Sequence, residues 1–91
     1  MADPEVAQKE GKYYRMVFED YVLGGAEKHG RPAVEGHNIK ASLLMLGIEE
    51  AQIEKRFARF VSQNGRDLAS LESVDFEEWL ELATIEVVDA Q

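Results

Sequence analysis

The stretch Val74-Asp75-Phe76-Glu77-Glu78-Trp79-Leu80 decides how the rest of this chain is read. A β-branched residue precedes an aspartate placed to cap a helix opening at Phe76, and Glu78, three positions on, completes an acidic capping box. Phe76, Trp79, Leu80 and Ala83 then recur at the spacing of an amphipathic helix that buries one stripe. An earlier stretch has the same grammar. Val34-Glu35-Gly36-His37-Asn38-Ile39 again sets a β-branched residue before a polar start, and Ile39, Leu43 and Leu46 supply the stripe.

Outward from these two units, the spacing of Tyr14, Val17, Phe18 and Tyr21 predicts a first helix from about Lys9 to Leu23, stopped by Gly24-Gly25. Ala26 to Glu35 contains His29-Gly30-Arg31-Pro32 and reads as a long exposed loop. A second helix is expected from His37 to Leu46 with Gly47 closing it. A third is expected from Glu49 or Glu50 to Ser62 on the stripe Ile53, Phe57, Phe60 and Val61. Asn64-Gly65 marks a turn, Leu68 and Leu71 a short docked turn of helix, and Phe76 to Val87 a fourth helix. Helix-loop-helix twice over predicts an all-α domain of paired EF-hand-like units, with at most a minimal two-strand pairing of Val34 with Val74. Residues 1–8 read as a flexible leader, 9–88 as the single domain and 89–91 as a tail.

Ninety-one residues with 45% hydrophobic content allow one small core. No apolar run reaches membrane-spanning length and no signal-peptide pattern opens the chain, so a cytoplasmic or cytoskeletal location is expected. With no cysteine, disulfides and thiolate metal sites are excluded. The net charge of −8 is unevenly distributed: up to Arg66 basic and acidic side chains balance, whereas from Asp67 onward every charged side chain is acidic. Such a tail repels nucleic acid and anionic lipid, so neither is an expected partner. Its ordinary reading is a solvated face on the last helix.

A working calcium loop needs oxygen ligands at alternate positions and a bidentate glutamate at the twelfth. Counted from Val34, the first loop places neutral Asn38 there. In the second, Glu78 closes a loop that is too long from Val61, and Asp67, Glu72 and Asp75 do not alternate. His29 and His37, even with Glu27 or Glu35, fall short of a recognisable zinc set. There is no phosphate-binding glycine loop and no nucleophile motif, and Asp75 with Glu78 is accounted for by helix capping. No metal, no cofactor and no catalysis are expected.

Phe18-Glu19-Asp20-Tyr21-Val22-Leu23-Gly24-Gly25, Val34-Glu35-Gly36-His37-Asn38-Ile39, Phe57-Ala58-Arg59-Phe60 and Val74-Asp75-Phe76-Glu77-Glu78-Trp79, in that order, resemble the tubulin polymerization-promoting protein family in a short form. The resemblance runs from about Tyr14 to Ala83. It implies a calcium-independent, non-catalytic cytoskeletal protein that binds or stabilises microtubules, with tubulin or an axonemal protein of a flagellum or cilium as partner. An acidic protein approaching an acidic microtubule needs a local basic face. Lys55, Arg56 and Arg59 on the third helix are the expected partner-binding residues, with Lys12, Arg15 and Arg66 as further basic side chains. The alternative is a single-lobe light chain or adaptor that receives an amphipathic helix of a motor or scaffold protein on Leu44, Met45 and neighbouring apolar side chains.

Overall fold

The structure is a computed structural model and describes residues 4–87. Among these residues the order is α1 (Pro4–Asp20), β1 (Glu27–Lys28), β2 (Arg31–Glu35), α2 (His37–Met45), α3 (Glu50–Ser62), two 3-10 turns (Gln63–Gly65 and Leu68–Leu71), β3 (Ser73–Asp75) and α4 (Phe76–Thr84). The strands form one antiparallel sheet in the order β1-β2-β3.

This sheet overturns the expectation of an all-α fold of paired EF-hand-like units: the protein has a small mixed fold of helices and a three-stranded sheet. The difference lies in Ala26 to Glu35, which forms a hairpin where an exposed loop was expected. Its register pairs Lys28 with Arg31 and Glu27 with Pro32, leaving His29-Gly30 as a two-residue turn. Both turn residues have positive φ, 57° at His29 and 73° at Gly30, the geometry of a type I′ turn, whose twist matches that of paired strands. Histidine is among the few side chains enriched in this left-handed region.

Pro32 sits in the central strand without cost. The Ala33 amide bonds to Ala26 O at 2.9 Å on the β1 side, so alternation turns Pro32 toward the β3 side. There the ladder starts only at Ala33, opposite Asp75, and the missing N–H has no acceptor to disappoint. The expected pairing of Val34 with Val74 is present, and both side chains are fully buried.

Helix bounds differ from expectation mainly at α1 and α4. Helix α1 starts at Pro4, a residue suited to a first helical turn, and ends at Asp20. The bonds Tyr21 N to Phe18 O and Val22 N to Glu19 O tighten its end. Helix α4 stops at Thr84 rather than Val87, as the chain enters the β-branched residues Thr84, Ile85 and Val87, which are stiff in a helix. Helices α2 and α3 lie close to their expected spans. Of the expected leader at residues 1–8, residues 4–8 belong to α1, while residues 1–3 and the expected tail at 89–91 fall outside the described residues.

The core gathers Val17, Phe18, Val34, Ile39, Leu43, Ile53, Phe60, Val74, Trp79 and Leu82 from all four helices and two strands. Tyr14, Tyr21, Phe57 and Phe76 pack against it, so most of the aromatic side chains meet in one core. Trp79 is the hub, with ring centroids 5.5 Å from Phe18, 6.1 Å from Phe76 and 6.3 Å from Tyr14. These offset and edge-on arrangements suit aromatic quadrupoles. One polar group lies fully buried among them: Ser42 Oγ donates to Ile39 O at 2.7 Å and accepts from Trp79 Nε1 at 2.8 Å, so the hydroxyl and the indole N–H are both satisfied.

Candidate functional site

Among the described residues, two regions hold polar side chains that could carry a function: the outer face of α3, and the junction where the β1-β2 hairpin meets β3 and the start of α4.

On α3 the three expected partner-binding residues separate. Arg56 turns inward: its Nη1 donates to Leu82 O at 2.9 Å and Ala83 O at 2.8 Å. These are carbonyls of the last turn of α4, where the helix has no amides of its own to offer and cationic charge is favourable. Arg56 therefore serves as a capping group that clamps α3 to α4. Lys55 and Arg59, one helical turn apart, are exposed, as are Ala51, Ala58 and Ser62. The clamp and the face thus share a helix but point in different directions.

Arg66, just beyond α3, is also structural. Its guanidinium stacks 4.1 Å above the Phe60 ring and bonds Glu81 through Nη1 at 2.7 Å and Nη2 at 3.2 Å. The fork geometry suits arginine and holds the 3-10 segment against α4, with Glu81 raising the pKa of the guanidinium further above its ordinary range. Arg15 lies 4.1 Å over the Phe76 ring.

The junction is built around the capping box read from the sequence. Asp75 Oδ1 accepts from the Glu78 amide at 2.9 Å and Glu78 Oε1 accepts from the Asp75 amide at 3.1 Å. The hairpin reaches across to the same two acids. His29 Nδ1 lies 3.4 Å from Asp75 Oδ2, and Lys28 Nζ lies 3.0 Å from Glu78 Oε1. Burial works to raise the pKa of Asp75, which is 5% exposed, but the Glu78 amide, His29 and Arg31 outweigh it and hold the carboxyl below its ordinary value.

His29, Asp75 and Glu78 bring potential metal-ligand atoms within 4.8 Å of one another. This set differs from the sequence reading, which placed His29 beside His37, Glu27 and Glu35. The signal for it was the hairpin: once Lys28 faces Arg31, β1 is carried alongside β2 and so toward β3 and Asp75. Both carboxylates are already engaged by protein donors, and an ammonium sits on Glu78. As built, the group stitches hairpin to helix.

The net result redistributes the acidic C-terminal charge. Lys28 meets Glu78, Arg31 meets Glu77 at 3.1 Å and Arg66 meets Glu81. A solvated acidic face was expected; instead α4 draws basic side chains from the hairpin and the 3-10 segment onto its own surface. No helix among the described residues is long and apolar enough to cross a membrane.

Comparison with protein-family models, with curated proteins and with solved structures finds no match to this chain in any of the three.

Proposed function

We propose that this protein is a non-catalytic, calcium-independent cytoskeletal binding module that attaches to microtubules through the outer face of α3. The observation that carries the reading is the exposed pair Lys55 and Arg59 on a helix that Arg56 fixes rigidly to α4. In a chain of net charge −8, a basic pair beside the small side chains Ala51, Ala58 and Ser62, with exposed Glu54 at the edge of the face, gives a local place to meet an acidic polymer. The motif order from Phe18 to Trp79, similar to that of the tubulin polymerization-promoting proteins, supports the same reading, and a flagellum or cilium is the compartment it suggests. Co-sedimentation with taxol-stabilised microtubules tests it. Pelleting at low salt that weakens at physiological salt is expected; absence from the pellet at both overturns it.

A second reading, an adaptor for an amphipathic helix, is favoured by Leu44 and Met45. These apolar side chains at the end of α2 remain 44% and 57% exposed. Titration with amphipathic helices from axonemal or motor proteins, followed by Trp79 fluorescence, would show a saturable change under this reading and none under the first.

A further inference from the structure

Lys28 is surrounded by oxygen in a way that an ordinary surface ion pair is not. Its Nζ lies 3.2 Å from Ser70 O, 2.8 Å from Ser73 O, and 3.0 and 3.1 Å from the two oxygens of Glu78. Four acceptors thus converge on one ammonium: two backbone carbonyls and a carboxylate presented edge-on. The side chains of Lys28 and Glu78 are each only 18% exposed, so the charge is sheltered from screening.

This donor set is the kind a hard divalent cation selects, since calcium takes carboxylate and carbonyl oxygens and completes its shell with water. Two sequence positions agree with a calcium loop, while Ala69 and Leu71, at the third and fifth places, bring no side-chain oxygen and Glu72 stands at the sixth in place of glycine. In a calcium-binding loop the seventh residue gives its backbone carbonyl and the twelfth a bidentate glutamate. With Glu78 counted as the twelfth, Ser73 is the seventh, and these two supply three of the four oxygens around Lys28 Nζ.

We infer that the Lys28 ammonium is a tethered stand-in for a bound divalent cation. It fills an oxygen cradle formed by Ser70, Ser73 and Glu78 and makes the junction of β3 and α4 independent of metal. Lys28 arrives from β1, held there by the pairing with Arg31, so the cation is delivered by the hairpin itself. The corollary is a latent site: when the charge at position 28 is removed, the cradle takes calcium, with two carbonyls and a bidentate carboxylate as protein ligands and water for the rest. The inference concerns the fold's own cation and is independent of the partner proposed for α3.

The experiment compares the full-length chain with K28A and K28M, following Tm by circular dichroism with and without millimolar calcium. The wild-type Tm should not respond to calcium. Each variant should lose on the order of 10 °C and recover about half of it when calcium is added. Adding E78Q to either variant should abolish the recovery, which separates ligation at the cradle from a general salt effect. A wild-type Tm that rises with calcium would show that the cradle is not filled by Lys28. Variants that keep the wild-type Tm, or that stay destabilised or unfolded whatever the calcium concentration, would overturn the inference equally.

Discussion

Trp79 Nε1 donates its only proton to Ser42 Oγ, 2.8 Å away, at a point where neither residue has measurable exposure. This bond ties α2 to α4 through the middle of the core. Ser42 itself donates to Ile39 O, so one hydroxyl closes the account for both polar groups. Replacing Ser42 by alanine strands the indole N–H with no water to receive it, which costs about 1–3 kcal/mol. S42A should therefore lower the urea midpoint with little change in m-value, and the Trp79 emission of the folded state should shift, because the indole has lost its partner.

Removing the Arg56 clamp should be felt at the far end of α4. R56M keeps much of the aliphatic bulk but frees the Leu82 and Ala83 carbonyls, at a cost of about 2–3 kcal/mol for bonds to a charged donor. Hydrogen exchange should accelerate selectively in the last turn of α4. Exchange unchanged there would show that Arg56 does not hold that turn.

Asp75 predicts a pH dependence with a definite sign. Its carboxyl titrates below its ordinary value in the folded protein, so folding favours the ionised form. The stabilisation is complete above the unfolded-state pKa of about 3.9 and is lost as pH falls through the folded-state value. D75N removes this term. A plot of stability against pH from about 6 downward should fall less steeply for D75N than for the wild type. At neutral pH, D75A should cost about 1–2 kcal/mol through the lost cap.

The turn at His29 offers a stabilising change. A histidine at φ 57° bears the strain of the left-handed region, which asparagine tolerates better beside Gly30. The 3.4 Å contact to Asp75 involves a side chain that is 65% exposed, so it contributes little. H29N should raise stability by about 0.5 kcal/mol. A fall would show that the Asp75 contact outweighs the turn geometry.

What the sequence made legible was local and periodic. The capping box at Asp75 and Glu78, the apolar stripes and the glycine after α2 each depend on neighbours within a turn or two, and each is present. The hairpin was hidden because its signal is one dipeptide, His29-Gly30, beside a proline that ordinarily argues against a strand. Only the register, which leaves Pro32 without a partner on the β3 side, reconciles the two. Arg56 was misleading for a related reason: Lys55, Arg56 and Arg59 form one cluster in sequence, but a helix turns about 100° per residue, so Arg56 faces α4 while its neighbours face outward. The acidic run after Asp67 concealed the most, since the cations that meet it come from the hairpin and the 3-10 segment. Such long-range pairings leave no periodic trace in one chain.

The central claim, attachment to microtubules through Lys55 and Arg59, is tested most directly by co-sedimentation of the charge-reversed variant K55E/R59E beside the wild type at low salt, with Tm recorded for both. The prediction is that the wild type pellets and the variant loses at least tenfold in affinity while its Tm stays within a few degrees, both residues being exposed. A variant that pellets as well as the wild type, or a wild type that does not pellet, would contradict it.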